Sequence, residues 1–394
     1  MKLSKACLNY LIITTLTALS LSGYASEKND DYRHLLLAGG ALKICSNYSP
    51  SNCKETDWID TLSNNKLKDD REFVRVGLSK SAQSVAIFQR FITMAKQTQN
   101  AGEQPLILFS TSASVNPYDA VIFYQSVFQQ LGAKSMWLPL DVAVVKARSE
   151  GRCEDLSQVQ SELLNNNDLD ERYPELYQQQ VNFCKSPQQT TDLLAQANGL
   201  FFNGGDQNLT RQAWVRADNS PSHALTLLSE RVANRQTVVG GTSAGTAVQS
   251  AGPMISNGSS KAAMQQGSFA VEPPPRDCDL HNSCPAGLSV DSLTYNPAGG
   301  TGLFRFGTLD THFSERGRQA RLMRLAADTS TALAVGVDET TALVVNLDNG
   351  AFDVIGEHGV FIVRDATVQD DGVAAQVSYL WSGSQGRLLT QGTP

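Results

Sequence analysis

The stretch VVGGTSAGTAVQ, residues 238–249, runs from a β-branched segment directly into a serine flanked by glycines. Gly241-Thr242-Ser243-Ala244-Gly245 fits the pattern G-x-S-x-G. Small neighbours permit a sharp strand-to-helix turn, which exposes the serine oxygen and aims the next backbone N–H at a reacting carbonyl. A plain glycine-lined turn of an open α/β sheet would carry the same five residues. The rest of the chain has to separate a nucleophile from a turn residue.

Working outward, the same order of apolar run, turn and helix recurs. HLLLAGG (34–40) and PLILFSTSAS (105–114) read as strands ending in small or polar residues. Between them, residues 79–99 place Val85, Ile87, Phe88, Phe91, Ile92 and Ala95 at helical spacing. A second helix is expected over 120–133, stopping at Gly132, and LGAKSMWLPL carries the next strand. ANGLFFNGGDQ (197–207), TVVGGTSAG (237–245) and LFRFGTLDTHF (303–313) each bring a strand to a turn. Several β-rich runs fill the chain from Leu333 to about Leu389. Alternating strands and helices predict an α/β fold built on a mainly parallel, doubly wound sheet with a β-rich C-terminal part. Ligands of such sheets gather at the carboxyl ends of the strands, where these turns lie. Polar material near 145–190 reads as an insertion, and 256–300, with its EPPPRDC and NPAGG stretches, as a long loop.

Residues 1–25 read as a secretory signal peptide. Lys2 and Lys5 give a basic start, Leu8 to Leu21 an apolar core, and Gly23-Tyr24-Ala25 a small-x-small site with cleavage before Ser26. A secreted or periplasmic chain of one domain, 26–394, is therefore expected, with no membrane contact after cleavage. Losing the two lysines takes the formal charge from −7 to −9, and no basic face suggests nucleic acid. Six of the seven cysteines remain: Cys45, Cys53, Cys153, Cys184, Cys278 and Cys284. An even number in an exported chain reads as disulfides. Sequence neighbours pair them as Cys45–Cys53, Cys153–Cys184 and Cys278–Cys284. No zinc spacing and no phosphate-loop pattern occurs, so neither a metal nor a cofactor is expected.

A serine nucleophile needs a base, and the chain has five histidines. His312 stands apart because it follows a strand in DTHFSERGRQARL, with Arg316, Arg318 and Arg321 close behind. On a helix opening near Ser314, Arg318 and Arg321 would share a face. The cluster reads either as a solvated basic face or as a carboxylate-binding fork beside the base. Asp338-Glu339 ends the strand of AVGVDETTALVV and offers an acid to orient the imidazole. FFNGGDQN (201–208) offers Gly204 and Gly205, where backbone can approach a ligand, and Gln207 as a neutral donor and acceptor.

Taken in order, NGGDQ, GGTSAG, DTHFSERGRQARL and GVDETTA resemble the cyanophycinase branch of peptidase family S51, over most of residues 34–345. The resemblance implies a peptidase E-like fold related to class I glutamine amidotransferases (flavodoxin-like). It implies Ser243 as nucleophile, His312 as general base and Glu339 as orienting acid. The chain order serine, histidine, acid differs from that of the α/β-hydrolases, which place the acid before the histidine. The oxyanion hole would come from the N–H groups of Ala244 and of Gly204 or Gly205. Substrate contacts are implied for Gln207, Arg316, Arg318 and Arg321; repulsion of substrate arginines by that cluster then has to be offset by Asp310, Glu315 or the acidic surface. Thr311 departs from the intracellular members, which carry glutamine before the histidine.

The function implied is a secreted serine exopeptidase that hydrolyses the poly-aspartate backbone of cyanophycin to β-Asp-Arg dipeptides. Its partner is cyanophycin or a related Asp/Arg peptide, and a homodimer is an allowed assembly that no residue pattern selects. Two alternatives keep the same residues: an aspartyl or isoaspartyl dipeptidase, and a non-catalytic peptide-binding protein in which Ser243 is only a turn residue.

Overall fold

A computed structural model describes residues 31–49, 52–57, 74–99, 101–102 and 104–388. The expected signal peptide lies outside the described residues. Twelve strands position the site: β1 (Leu35–Ala38), β2 (Leu106–Ser110), β3 (Lys134–Leu138), β4 (Gly199–Phe202), β5 (Val238–Thr242), β6 (Thr308–Thr311), β7 (Leu333–Val337), β8 (Thr341–Val345), β9 (Ala351–Gly356), β10 (Gly359–Gln369), β11 (Gly372–Trp381) and β12 (Gln385–Arg387). The main sheet has eight strands in the order β12-β9-β8-β1-β5-β4-β2-β3. From β1 through β3 all neighbours are parallel, whereas β8, β9 and β12 extend the sheet with antiparallel pairs. The fold is thus mixed α/β with a large, mostly parallel central sheet.

Period-two alternation explains why β1 is apolar throughout. Leu35 and Leu37 enter one buried cluster, Leu36 and Ala38 the other, and all four are fully buried. Burying each leucine is worth about 1.5–3 kcal/mol. Helices Ala82–Lys96 and Val121–Gln130 cover one face through Ile87, Phe88, Phe91, Val127 and Phe128. On the opposite face, helices Val142–Glu150, Gln207–Trp214 and His223–Ala233 supply Val144, Trp214 and Leu228.

Three features differ from the sequence reading. Residues 145–190 are helical, including Leu156–Leu164 and Pro174–Lys185, and Val159, Val181 and Phe183 join the core. Their amphipathic spacing is masked by Gln- and Asn-rich outer faces. The loop over 256–300 is partly regular: Met254–Asn257, Ser268–Phe269 and Leu293–Asn296 form a small sheet beside helix Ser260–Gln266. Finally, β6 belongs to a separate four-stranded sheet, β6-β7-β10-β11. The main sheet excludes it because β8, reached from β7 through a three-residue turn, already occupies the edge of β1.

The six cysteines expected in disulfides meet in the three expected pairs, with Cα–Cα separations of 5.2 Å, 5.6 Å and 4.6 Å. Among the described residues no helix is long and apolar enough to cross a membrane.

Candidate active site

The chain turns sharply at the end of β5. Ser243 has φ 54° and ψ −117°, a backbone state rarely open to a residue with a side chain. Its neighbours make the turn fit. A Cβ on Gly241 would lie 2.2 Å from the Gly245 carbonyl oxygen, and one on Gly245 would lie 2.3 Å from that of Phe202. The Ser243 N–H donates to the Ala38 carbonyl at 3.1 Å, while its own carbonyl accepts from Thr246 and Ala247 at 3.0 Å. Those bonds open the short helix Ala244–Ala247. Ala244 is the first residue of that helix, so its N–H has no intrahelical acceptor.

His312 follows the last residue of β6, also at positive φ (47°). Its N–H donates to the Gly39 carbonyl at 2.8 Å, which hangs the turn on the end of β1. The ring Nε2 lies 2.7 Å from Ser243 Oγ, and Nδ1 lies 2.6 Å from Glu339 Oε1. Glu339 sits between β7 and β8, where Thr340 N–H donates to the Gly40 carbonyl at 2.9 Å. Asp338, fully buried beside it, accepts from the Ser314 N–H at 2.9 Å and from the Tyr379 hydroxyl of β11. The turns carrying His312 and Glu339 are therefore tied to each other as well as to β1.

Burial depresses the His312 pKa. The Glu339 hydrogen bond opposes that effect, and the charges of Arg316 and Arg318 reinforce it. A neutral imidazole that donates from Nδ1 to Glu339 leaves the Nε2 lone pair facing the serine hydroxyl. Such an arrangement can accept a proton from Ser243 and stabilise the imidazolium that results.

A cleft of about 760 Å³ opens over the pair, and Ser243, His312, Asn203, Gly204, Gly205 and Arg316 are among its lining residues. Gly205 has φ 140°, and a Cβ there would strike the Ala113 carbonyl oxygen at 2.2 Å. Gly204 is closer to the serine, with its Cβ position 3.3 Å from Ser243 Cβ.

The expected substrate contacts divide. Arg316 lines the cleft, exposed and without an ion-pair partner among the described residues. Arg321 is instead buried and grips Asp310 with two bonds of 2.8 Å and 2.6 Å, while Arg318 donates to the Thr311 carbonyl at 2.7 Å and lies 3.4 Å from Asp310. Burial lowers the Arg318 pKa to about 10. The physical reason is Asp310, which is 2 % exposed on β6 and requires cations once removed from water. The helix opens at Gln319 rather than near Ser314, so Arg318 and Arg321 reach Asp310 while Arg316 stays in the preceding turn. Gln207 begins helix Gln207–Trp214 and donates to the Ile255 carbonyl at 2.7 Å. Asp310, Arg318, Arg321 and Gln207 are all absent from the cleft lining.

Motif reasoning overlooked Asp57, Tyr124, Thr242 and Arg276, which also line the cleft. Thr242 directly precedes the serine; its Oγ1 is buried with no hydrogen-bond partner among the described residues. Asp57 and Arg276 stand near cysteines, which was the only signal the sequence offered for them.

With this geometry in place, similarity to known proteins supplies an independent line. No family model matches the chain. It is 28% identical over 277 residues to a cyanophycinase of Geminocystis herdmanii, a match that covers 70% of this chain and 74% of that one. It is 32% identical over 180 residues to a cyanophycinase of Trichormus variabilis, spanning 46% of this chain and about half (49%) of that relative. A crystal structure of a peptidase from an acI-B1 Actinobacterium aligns over 78% of this chain and 91% of its own, at 16% identity and a TM-score of 0.42, too slight a likeness to carry an argument. In sequence, the chain is similar to cyanophycinases over as much as 70% of its length.

Proposed function

We propose that the chain is a serine-type exopeptidase of class I glutamine amidotransferase-like (flavodoxin-like) fold that releases β-Asp-Arg dipeptides from cyanophycin. The observation that carries this reading is the chain Ser243 Oγ–His312 Nε2, 2.7 Å, and His312 Nδ1–Glu339 Oε1, 2.6 Å, placed at the floor of a cleft. In the proposed reaction Ser243 Oγ attacks the backbone carbonyl and His312 Nε2 takes the hydroxyl proton. The negative oxygen that forms is held by the N–H groups of Ala244 and Gly205. Losing one such donor typically costs about a hundredfold or more in kcat. Collapse of the intermediate breaks the C–N bond and passes the proton from Nε2 to the leaving amine. Water then hydrolyses the acyl-serine by the same route, restoring Ser243. Arg316 binds a substrate carboxylate beside the base. The basic, apolar N-terminus and three cysteine pairs at bonding distance support an exported, oxidised protein that meets its polymer outside the cytoplasm.

The burial of Arg318 and Arg321 on Asp310 favours one alternative, an aspartyl or isoaspartyl dipeptidase, because it removes two cations from the substrate surface. Incubating the mature protein with insoluble cyanophycin, beside a panel of Asp-X and β-Asp-X dipeptides, separates the two by mass spectrometry. Release of β-Asp-Arg from the polymer that disappears in Ser243→Ala supports cyanophycinase activity; turnover of dipeptides alone selects the alternative. A folded protein that hydrolyses neither and resists a serine-directed phosphonate is a binding protein.

A further inference from the structure

We infer that Asp57 and Arg276, brought to the Ser243 cleft by two cysteine-tethered segments, are specificity-determining residues that select a unit carrying a cation at one end and a carboxylate at the other. The inference rests on the reading of Ser243 as a peptidase nucleophile and adds what the cleft recognises.

Asp57 directly follows a hairpin, Ile44–Ser49 paired with Asn52–Thr56, in which the sulfurs of Cys45 and Cys53 lie at bonding distance. Glu55 accepts from the Lys80 N–H at 2.9 Å, and the Cys45 N–H donates to Ser79 Oγ at 2.9 Å, so the hairpin is held against the start of helix Ala82–Lys96. Asp57 lines the same cleft as the buried Tyr124. Burial, reinforced by the Asp57 charge, raises the Tyr124 pKa. Gly204 abuts Ser243. Asp57, Tyr124, Gly204 and Ser243 thus line one cleft.

Arg276 comes from the opposite kind of segment, the irregular stretch between Phe269 and Leu293. Cys278 is fully buried and its sulfur lies at bonding distance from that of Cys284, which anchors a stretch with few apolar residues of its own. Arg276 and Arg316 line the same cleft, and neither has an ion-pair partner among the described residues.

The charges that remain available are what select the ligand. Three aspartates line the cleft: Asp57, Asp119 and Asp206. Asp206 caps its own helix through Asn208 N–H at 2.8 Å, and Asp119 accepts from the Tyr173 hydroxyl at 2.6 Å. Asp57 has no hydrogen-bond or ion-pair partner among the described residues. Unpaired charges of both signs in one cleft make a complementary fork for a zwitterionic ligand, since low-dielectric walls focus the field of each group. The planar guanidinium of Arg276 binds a carboxylate bidentately, and the Asp57 carboxylate binds a guanidinium in the same way.

The test compares full-length oxidised wild type with Asp57→Asn and Arg276→Gln on three peptides that keep one aspartyl–aspartyl backbone bond to cleave: the dimer of β-aspartyl-arginine, its neutral citrulline isostere, and the same dimer with its arginine carboxylates amidated. Losing one charge-assisted contact lowers kcat/KM by about tenfold to a hundredfold. Asp57→Asn should show that loss, through KM, on the arginine peptides and little on citrulline. Arg276→Gln should show it on the free carboxylates and little on the amide, and Asp57→Glu and Arg276→Lys should recover part of each. The same peptides are titrated calorimetrically into Ser243→Ala, alone and combined with each variant, so that selection is read without turnover. Charge-selective binding without wild-type hydrolysis would keep this inference and sink the peptidase reading. Equal effects on all three peptides, or none, in folded variants would overturn the inference whether or not the enzyme turns over.

Discussion

Gly40→Ala tests the site without touching any reacting group. Gly40 has φ 121°, and a Cβ there would lie 2.3 Å from His312 Cε1, 2.6 Å from Nε2 and 2.8 Å from Nδ1. Ordinary contact begins near 3.4 Å, so the ring must retreat by about 1 Å. It is held on both sides by bonds of 2.7 Å and 2.6 Å, and neither survives such a shift. A misplacement of about 1 Å costs on the order of a hundredfold in rate. The backbone conformation adds about 1–3 kcal/mol of strain, which lowers stability independently. Gly132→Ala is the matched control: its φ of 87° is similarly unfavourable, but nothing lies within 4 Å of the added carbon. Urea unfolding should show both variants destabilised by amounts of that order. Peptide hydrolysis should show kcat/KM retained in Gly132→Ala and lost by about a hundredfold or more in Gly40→Ala. A folded Gly40→Ala enzyme with wild-type kcat/KM would mean that the His312 ring does not work from this position.

The His312 environment predicts opposite pH shifts for two variants. The base must be neutral, so the acid limb of the kcat/KM profile reports its pKa in the free enzyme. The Arg316 charge lowers that pKa, so Arg316→Gln should move the limb to higher pH; Glu339→Gln removes an interaction that raises it, so the limb should move to lower pH while kcat falls. A limb that stays in place in both variants would argue against His312 as the titrating base. For the buried pair, Arg321→Met should cost up to about 3–5 kcal/mol in urea unfolding because it leaves the buried Asp310 carboxylate only the more distant Arg318, at 3.4 Å, as a cation partner. The double variant Asp310→Leu/Arg321→Met should recover much of that loss, and a double variant worse than the single would refute the pairing argument.

The unequal legibility of these parts in the sequence has a physical basis. The serine turn is local: Gly241 and Gly245 are required by carbonyls that approach within 2.2 Å and 2.3 Å of where their side chains would be, so the five-residue pattern carries the backbone shape with it. His312 and Glu339 were legible because each follows a strand end, and their turns hang on Gly39 and Gly40, just past the end of one central strand. The arginines were not, because whether Arg316, Arg318 or Arg321 meets a ligand depends on where Asp310 is buried and where the next helix opens. Neither is fixed by the spacing R-x-R-x-x-R. Asp57 and Arg276 were harder still, since the segments that carry them lack apolar periodicity and are positioned by cysteine pairs. Backbone strain on the central sheet thus determines where the proposed chemistry occurs. The charges that select a substrate stand outside that sheet, on the cysteine-paired segments around Asp57 and Arg276. Substitutions at those charges can therefore change what enters the cleft at small cost to the Ser243–His312–Glu339 geometry, whereas Asp310 and Arg321 cannot be exchanged for specificity without disturbing the strand that delivers the histidine.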